Sequence, residues 1–227
     1  MILPSKKTTR ATDFSKTKTL ITGLPKTGKS TFLSKIDGML IAAFEDGLNY
    51  LETSSVKVAS WEFFLQLCSE FISEKHEYKM LGIDIADIAY QSCEDYICKK
   101  EVLKNIAEPP FGGGYKLAKR EFLRVLNKVN LAGYGIILTS HAKIKEIKKK
   151  TTTYTMIDSS LPGSMNEAVC GFVDHIFYFY IDEDGSRLMR TKPTKYINAG
   201  DRSGKLPETM PIDYDQFIKT YNEKMSD

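Results

Sequence analysis

Nine consecutive residues, Gly23, Leu24, Pro25, Lys26, Thr27, Gly28, Lys29, Ser30 and Thr31, combine the groups that grip a polyphosphate. Glycines at 23 and 28 let the backbone curl, so that successive N–H groups converge on phosphate oxygens. Lys29 is a point charge for β- and γ-phosphates, and the Ser30 hydroxyl is a ligand for Mg2+. The pattern GxxxxGK[ST] lies between an apolar strand, residues 17–22, and a helix predicted from Lys29 to about Ile36. The competing reading is a plain glycine-rich turn between strand and helix.

Such chemistry needs a carboxylate beside the metal. Met80-Leu81-Gly82-Ile83-Asp84 supplies one at the end of an apolar run, although a strand-ending Asp is also a common helix N-cap. It needs a base for the attacking water too. Ile85 follows Asp84 where many phosphate-loop ATPases carry Glu, which leaves Glu45, at the end of Met39–Phe44. A sheet that sets this strand beside the Asp84 strand brings Glu45 to the γ-phosphate side.

The positioning elements follow from periodicity. Met39–Phe44 is continuously apolar, as a strand covered on both faces is; Tyr78–Asp84 is another buried-strand pattern, ending on a carboxylate, and Ile136–Thr139 a third core strand. Trp61, Phe64, Leu65, Cys68, Phe71 and Ile72 line one helical face behind an N-cap at Ser60. Helices are also expected over 86–107, 117–131, 165–170 and 213–224. Residues 175–180 and 187–192 read as a hairpin around Asp182-Glu183-Asp184-Gly185. Alternating strands and helices indicate an α/β fold: a mostly parallel sheet with helices on both faces and an antiparallel hairpin toward the C-terminal end. The expected division is a flexible basic arm (1–16), a core (17–210) and a C-terminal helix (211–227).

The 227 residues are 42% hydrophobic, too apolar for disorder, and no run nears the roughly 20 apolar residues of a membrane span. The four cysteines show no CxxC spacing, and the first residues form no apolar block of signal-peptide length. Both observations predict a cytoplasmic protein with reduced thiols. Five cations against one carboxylate in residues 1–18, and again in 142–153, predict polyanion contact, or solvated lysines.

Five pieces, GLPKTGKS, FEDGL, MLGIDIAD, IILTSHAK and NAGDRSGKLP, make the chain resemble bacteriophage nucleotide-binding proteins with a RecA-like ATPase core. The better-understood members of that group are single-strand annealing recombinases. The resemblance implies ATP and Mg2+ as cofactors, Glu45 as the water-activating base and Asp84 beside the metal. It sets Ser140-His141 where a polar residue senses the γ-phosphate, with His141 in place of glutamine. It implies a homo-oligomeric ring or filament with ATP between subunits, completed by Arg202, or else Lys205 or Lys192, from a neighbour. The alternative for Arg202 is a local pair with Asp201. Single-stranded DNA is the implied partner, bound by mobile loops at 109–115 and 142–154 in the cytoplasm of a bacterial host. Lys143, Lys145, Lys148, Lys149 and Lys150 would neutralise phosphates. Phe111 and Tyr115 either stack on bases or anchor the glycine loop. The rival functions are a nucleoside or nucleotide kinase, and a DNA-binding module that uses ATP as a structural switch.

Overall fold

A computed structural model describes residues 12–148 and 152–226. The expected core strands form the middle of one sheet: β1 (Lys18–Gly23), β2 (Met39–Ala43), β4 (Met80–Asp84) and the first half of β5 (Gly135–Lys148), all buried apart from the half-buried Lys18. With β3 (Ser55–Lys57), β6 (Thr153–Ser159), β7 (His175–Ile181), β8 (Arg187–Arg190), β9 (Gly200–Asp201) and β10 (Thr209–Pro211), the order is β10-β8-β7-β1-β5-β4-β2-β3. Strands from β7 to β3 run parallel, whereas β8 and β9 pair antiparallel with β7, and β10 pairs antiparallel with β8. The expected hairpin is β7–β8, closed by the turn at Gly185.

Alternate residues of each strand enter two cores. Leu20, Leu40, Leu81 and Leu138 pack under α2 (Trp61–Ser73), α3 (Ala86–Lys100), α4 (Gly113–Leu131) and α5 (Gly163–Phe172). Ile21, Ile41, Met80 and Ile137 face α1 (Lys29–Ser34) and α6 (Tyr214–Ser226). Ser60 caps α2 as expected, its hydroxyl accepting from the Phe63 N–H at 3.2 Å.

Three expectations change. Residues 13–16, read as the end of a flexible arm, form a turn that anchors Phe14 in the core, with Asp13 and Lys16 exposed. Phe14 sits in a 3-10 turn, buried against Phe217 and Tyr221 at centroid distances of 4.8 and 5.3 Å. Residues 1–11 of that arm lie outside the described residues. The segment 113–115, read as part of a mobile glycine loop, is the first turn of α4. A Cβ on Gly114 would lie 2.1 Å from the Ile106 carbonyl oxygen, so glycine there permits a close approach of chain rather than mobility. The lysine-rich stretch after His141 is a strand instead of a loop. β5 continues to Lys148 and pairs antiparallel with β6, Ile144 opposite Ile157 and Ile147 opposite Tyr154. Ile144 and Ile147 lie three residues apart, on opposite faces of β5, so no period-2 apolar pattern marks this strand in the sequence.

Phe14→Ala is expected to lower the free energy of unfolding by about 3–5 kcal/mol, as loss of a buried phenyl ring does. Urea denaturation measures it; a loss near zero would return residues 13–16 to the arm.

Candidate functional site

Parallel pairing brings four strand ends to one level. Gly23 at the end of β1 stands opposite His141 of β5, and Ala43 at the end of β2 stands opposite Asp84 at the end of β4. Ligands of open α/β sheets bind at such carboxyl ends. The phosphate-type loop, Asp84, Glu45 and Ser140-His141 thus gather on one side of the sheet. β2 is the direct neighbour of β4, the arrangement that Glu45 requires.

Within the loop, the two glycines have different reasons. Gly28 takes φ +104°, as expected of a curl, and Lys26 also adopts positive φ (+66°). Gly23 does not. A Cβ there would meet the Phe179 carbonyl oxygen at 2.7 Å, so Gly23 admits the neighbouring strand β7. Thr27 closes the bend by donating its hydroxyl to the Leu24 carbonyl at 2.8 Å.

Lys29 is buried, and its ammonium donates to the Gly23 and Leu24 carbonyls at 2.9 Å each. Burial draws its pKa below the ordinary lysine value, while Asp84, Glu45 and Asp87 act to raise it. The cation is thus held at the loop by carbonyl oxygens that a phosphate can replace.

Asp84 is buried and fully engaged. The Ser30 hydroxyl donates to its Oδ2 at 2.7 Å, and the Thr139 hydroxyl donates to its Oδ1. Hydroxyl and carboxylate oxygens are hard donors, and among the described residues no group of three or more His, Cys, Asp or Glu could hold a metal. Such a sparse, oxygen-only pair fits Mg2+, which takes most of its ligands from phosphate and water.

Two functional residues escape sequence reasoning. Asp87, in the first turn of α3, accepts from the Ser140 hydroxyl at 2.8 Å and the His141 N–H at 2.9 Å. It fixes the end of β5; its one signal is its place three residues after Asp84. Arg187 joins Lys29, Ser30, half-buried Glu45 and His141 in lining a cavity of about 670 Å³. No local pattern marks it, because β8 reaches the loop only through tertiary pairing.

The remaining predicted residues lie elsewhere. Lys143 donates to the Ser160 carbonyl at 2.7 Å, and Lys145 pairs with buried Asp158 at 2.7 Å, so both join the two strands at the base of the β5–β6 hairpin. Lys148 pairs with Glu146 on the exposed hairpin, and Lys149 and Lys150 lie outside the described residues. Phe111 is 94% exposed, and Tyr115 sits in the first turn of α4. Arg202 pairs with Asp174 at 2.9 Å rather than Asp201. Asp174 also holds Lys18 at the start of β1, the sheet end opposite the loop, so Arg202 does not line the site of its own chain. Lys192 pairs with Asp201 at that same end, and Lys205 is half-buried beside Ser203.

Gly23→Ala forces β1 away from a backbone oxygen that cannot yield. It is expected to cost about 1–3 kcal/mol of stability and to weaken ATP binding. Thermal denaturation with and without ATP checks both; unchanged values would show that the approach of β7 is not needed.

No curated protein matches the chain. A family model described as an AAA domain matches residues 15–203, a span that holds the loop, Glu45, Asp84 and the whole parallel sheet. The chain belongs to the AAA-domain family of phosphate-loop ATPases.

Proposed function

We propose that this ATPase is a RecA-like, phage-encoded protein that hydrolyses ATP on single-stranded DNA, in recombination or annealing within the host cytoplasm. The observation that supports it is the continuity of β5. One strand carries Thr139 against Asp84 and His141 beside the loop, then runs on as a projecting hairpin that bears Lys148. A site for triphosphate and an arm with a cation are parts of one rod.

In this reading, Lys29 leaves the Gly23 and Leu24 carbonyls for phosphate oxygens and offsets their charge. Glu45, half-buried in the same cavity, orients a water and takes its proton. Thr139 holds Asp84 in place, and Asp87 holds His141. Mg2+, when bound by Ser30 and Asp84, supplies charge neutralisation at the transferring phosphoryl group. Arg202 is available only to a second copy in a ring or filament. Phe111, exposed, offers a ring for base stacking.

Glu45→Gln is expected to reduce ATP turnover by about 10²–10³-fold while leaving ATP bound. Unchanged turnover would remove Glu45 as the base, and phosphorylation of an added nucleoside would replace hydrolysis by a kinase reading. Single-stranded DNA is expected to stimulate ATP turnover in the wild-type protein. Lys148→Ala is expected to lower the slope of log affinity against log salt by about 1, as loss of one phosphate contact does. An unaltered slope, measured by oligonucleotide anisotropy across a salt series, would take the hairpin out of the DNA site.

A further inference from the structure

A second, smaller cavity adjoins the site and is not used by the chemistry above. It measures about 220 Å³ and shares Gly28, Thr31 and Arg187 with the larger cavity. Its own walls are Phe32 of α1, Lys35 just past the end of that helix, and the segment Ile212–Asp215 at the start of α6. Thr31 follows Ser30 on the first turn of α1, so the two cavities meet across the phosphate-type loop.

Glu45 and His141, which the ATPase reading sets at the terminal phosphate, line the larger cavity and not the smaller one. Thr31 and Arg187 line both, so a triphosphate oriented in that way has its other end toward the smaller cavity. We infer that Arg187 and the groove between α1 and the start of α6 seat the nucleoside end of the nucleotide, with Arg187 clamping the phosphates nearest the ribose. This rests on the ATPase reading of the loop.

The chemistry of the walls agrees. A Cβ on Gly28 would lie 3.5 Å from an Arg187 guanidinium nitrogen, so the cation bears on the loop itself. Its backbone is fixed on both sides. β8 pairs Arg187 with Ile181, and the Arg187 carbonyl accepts from the Ile212 N–H at 3.0 Å. A guanidinium held in this way offers a planar fork to phosphate oxygens. Ile212 gives an apolar wall, and the Tyr214 ring is braced edge-on by Phe32 at 5.6 Å. Asp213 and Asp215 are acceptors only, suited to ribose hydroxyls and an exocyclic amine. Asp213 uses Oδ1 to cap Gln216 at 2.8 Å, and Asp215 is exposed.

The test compares ATP with inorganic tripolyphosphate, which has the phosphates and no nucleoside, by calorimetric titration of the full chain. Wild type should bind ATP more tightly by about tenfold or more. Asp215→Trp, a change at an exposed position that fills the groove, should bring ATP down to the tripolyphosphate affinity and leave tripolyphosphate unaffected. Lys35→Trp, on the opposite wall, should do the same. Arg187→Ala should weaken both ligands by about tenfold, with partial recovery in Arg187→Lys. If tripolyphosphate and ATP both bind and both groove-filling variants keep full ATP affinity, the nucleoside lies elsewhere and the inference is overturned while the phosphate site stands. If wild type binds neither ligand, the ATPase reading falls and takes the inference with it.

Discussion

A carboxylate taken out of water must be paired or hydrogen-bonded, and Asp84 is about as buried as any residue of the core. Its two oxygens take hydroxyls from opposite directions, Ser30 on α1 and Thr139 on β5. Three elements are therefore fixed relative to one another by a single side chain. The phosphate-type loop ends at the first of them, and the last bounds the cavity through His141. Misplacing β5 by one residue would turn Thr139 to the other face and leave Asp84 half-satisfied. The register of the central strands and the geometry of the site are thus the same constraint.

Much of this was visible in residue types. A continuous apolar run is compatible with burial on both faces, so β2, β4 and the first half of β5 could be placed, and with them Glu45 and Asp84. The loop could be read because its function constrains every residue locally. What escaped depends on contacts across the chain. Gly114 is a glycine because the Ile106 carbonyl passes over it, and composition alone cannot separate that from a hinge. Gly23 is set by Phe179, more than a hundred residues away in sequence. Arg187 reaches the site through antiparallel pairing at the far end of the chain. The lysines of β5 were read by charge, and Ile144 and Ile147, three residues apart, give no strand period to set against that reading.

The base of the β5–β6 hairpin is a second polar node. Asp158, buried, accepts from Lys145, Asn166 and Asn198, each at 2.7 Å. Burial acts to raise its carboxyl pKa, but hydrogen bonds from Asn198, Lys145 and the Ser159 N–H, with the charge of Lys145, hold it below the ordinary aspartate value. The adjacent Ser159 hydroxyl meets Ser140 at 2.8 Å, and Ser140 reaches Asp87. Polar side chains thus connect the hairpin base to the His141 end of β5 without a break.

Beyond His141, among the described residues, β5 pairs with β6 alone and leaves its other edge without a partner strand, whereas β6 is met at Ile157 by Ile197. Such edges invite strand addition from other chains, and Ile144, 73% exposed, makes this one adhesive as well. Glu146 and Lys148 share the face of Ile144 and break up that surface with charge, and Lys143 and Lys145 carry charge on the other face. Whatever ligand the arm takes, its basic character keeps a long ribbon soluble in water, and a more apolar version would become a template for fibrous self-association.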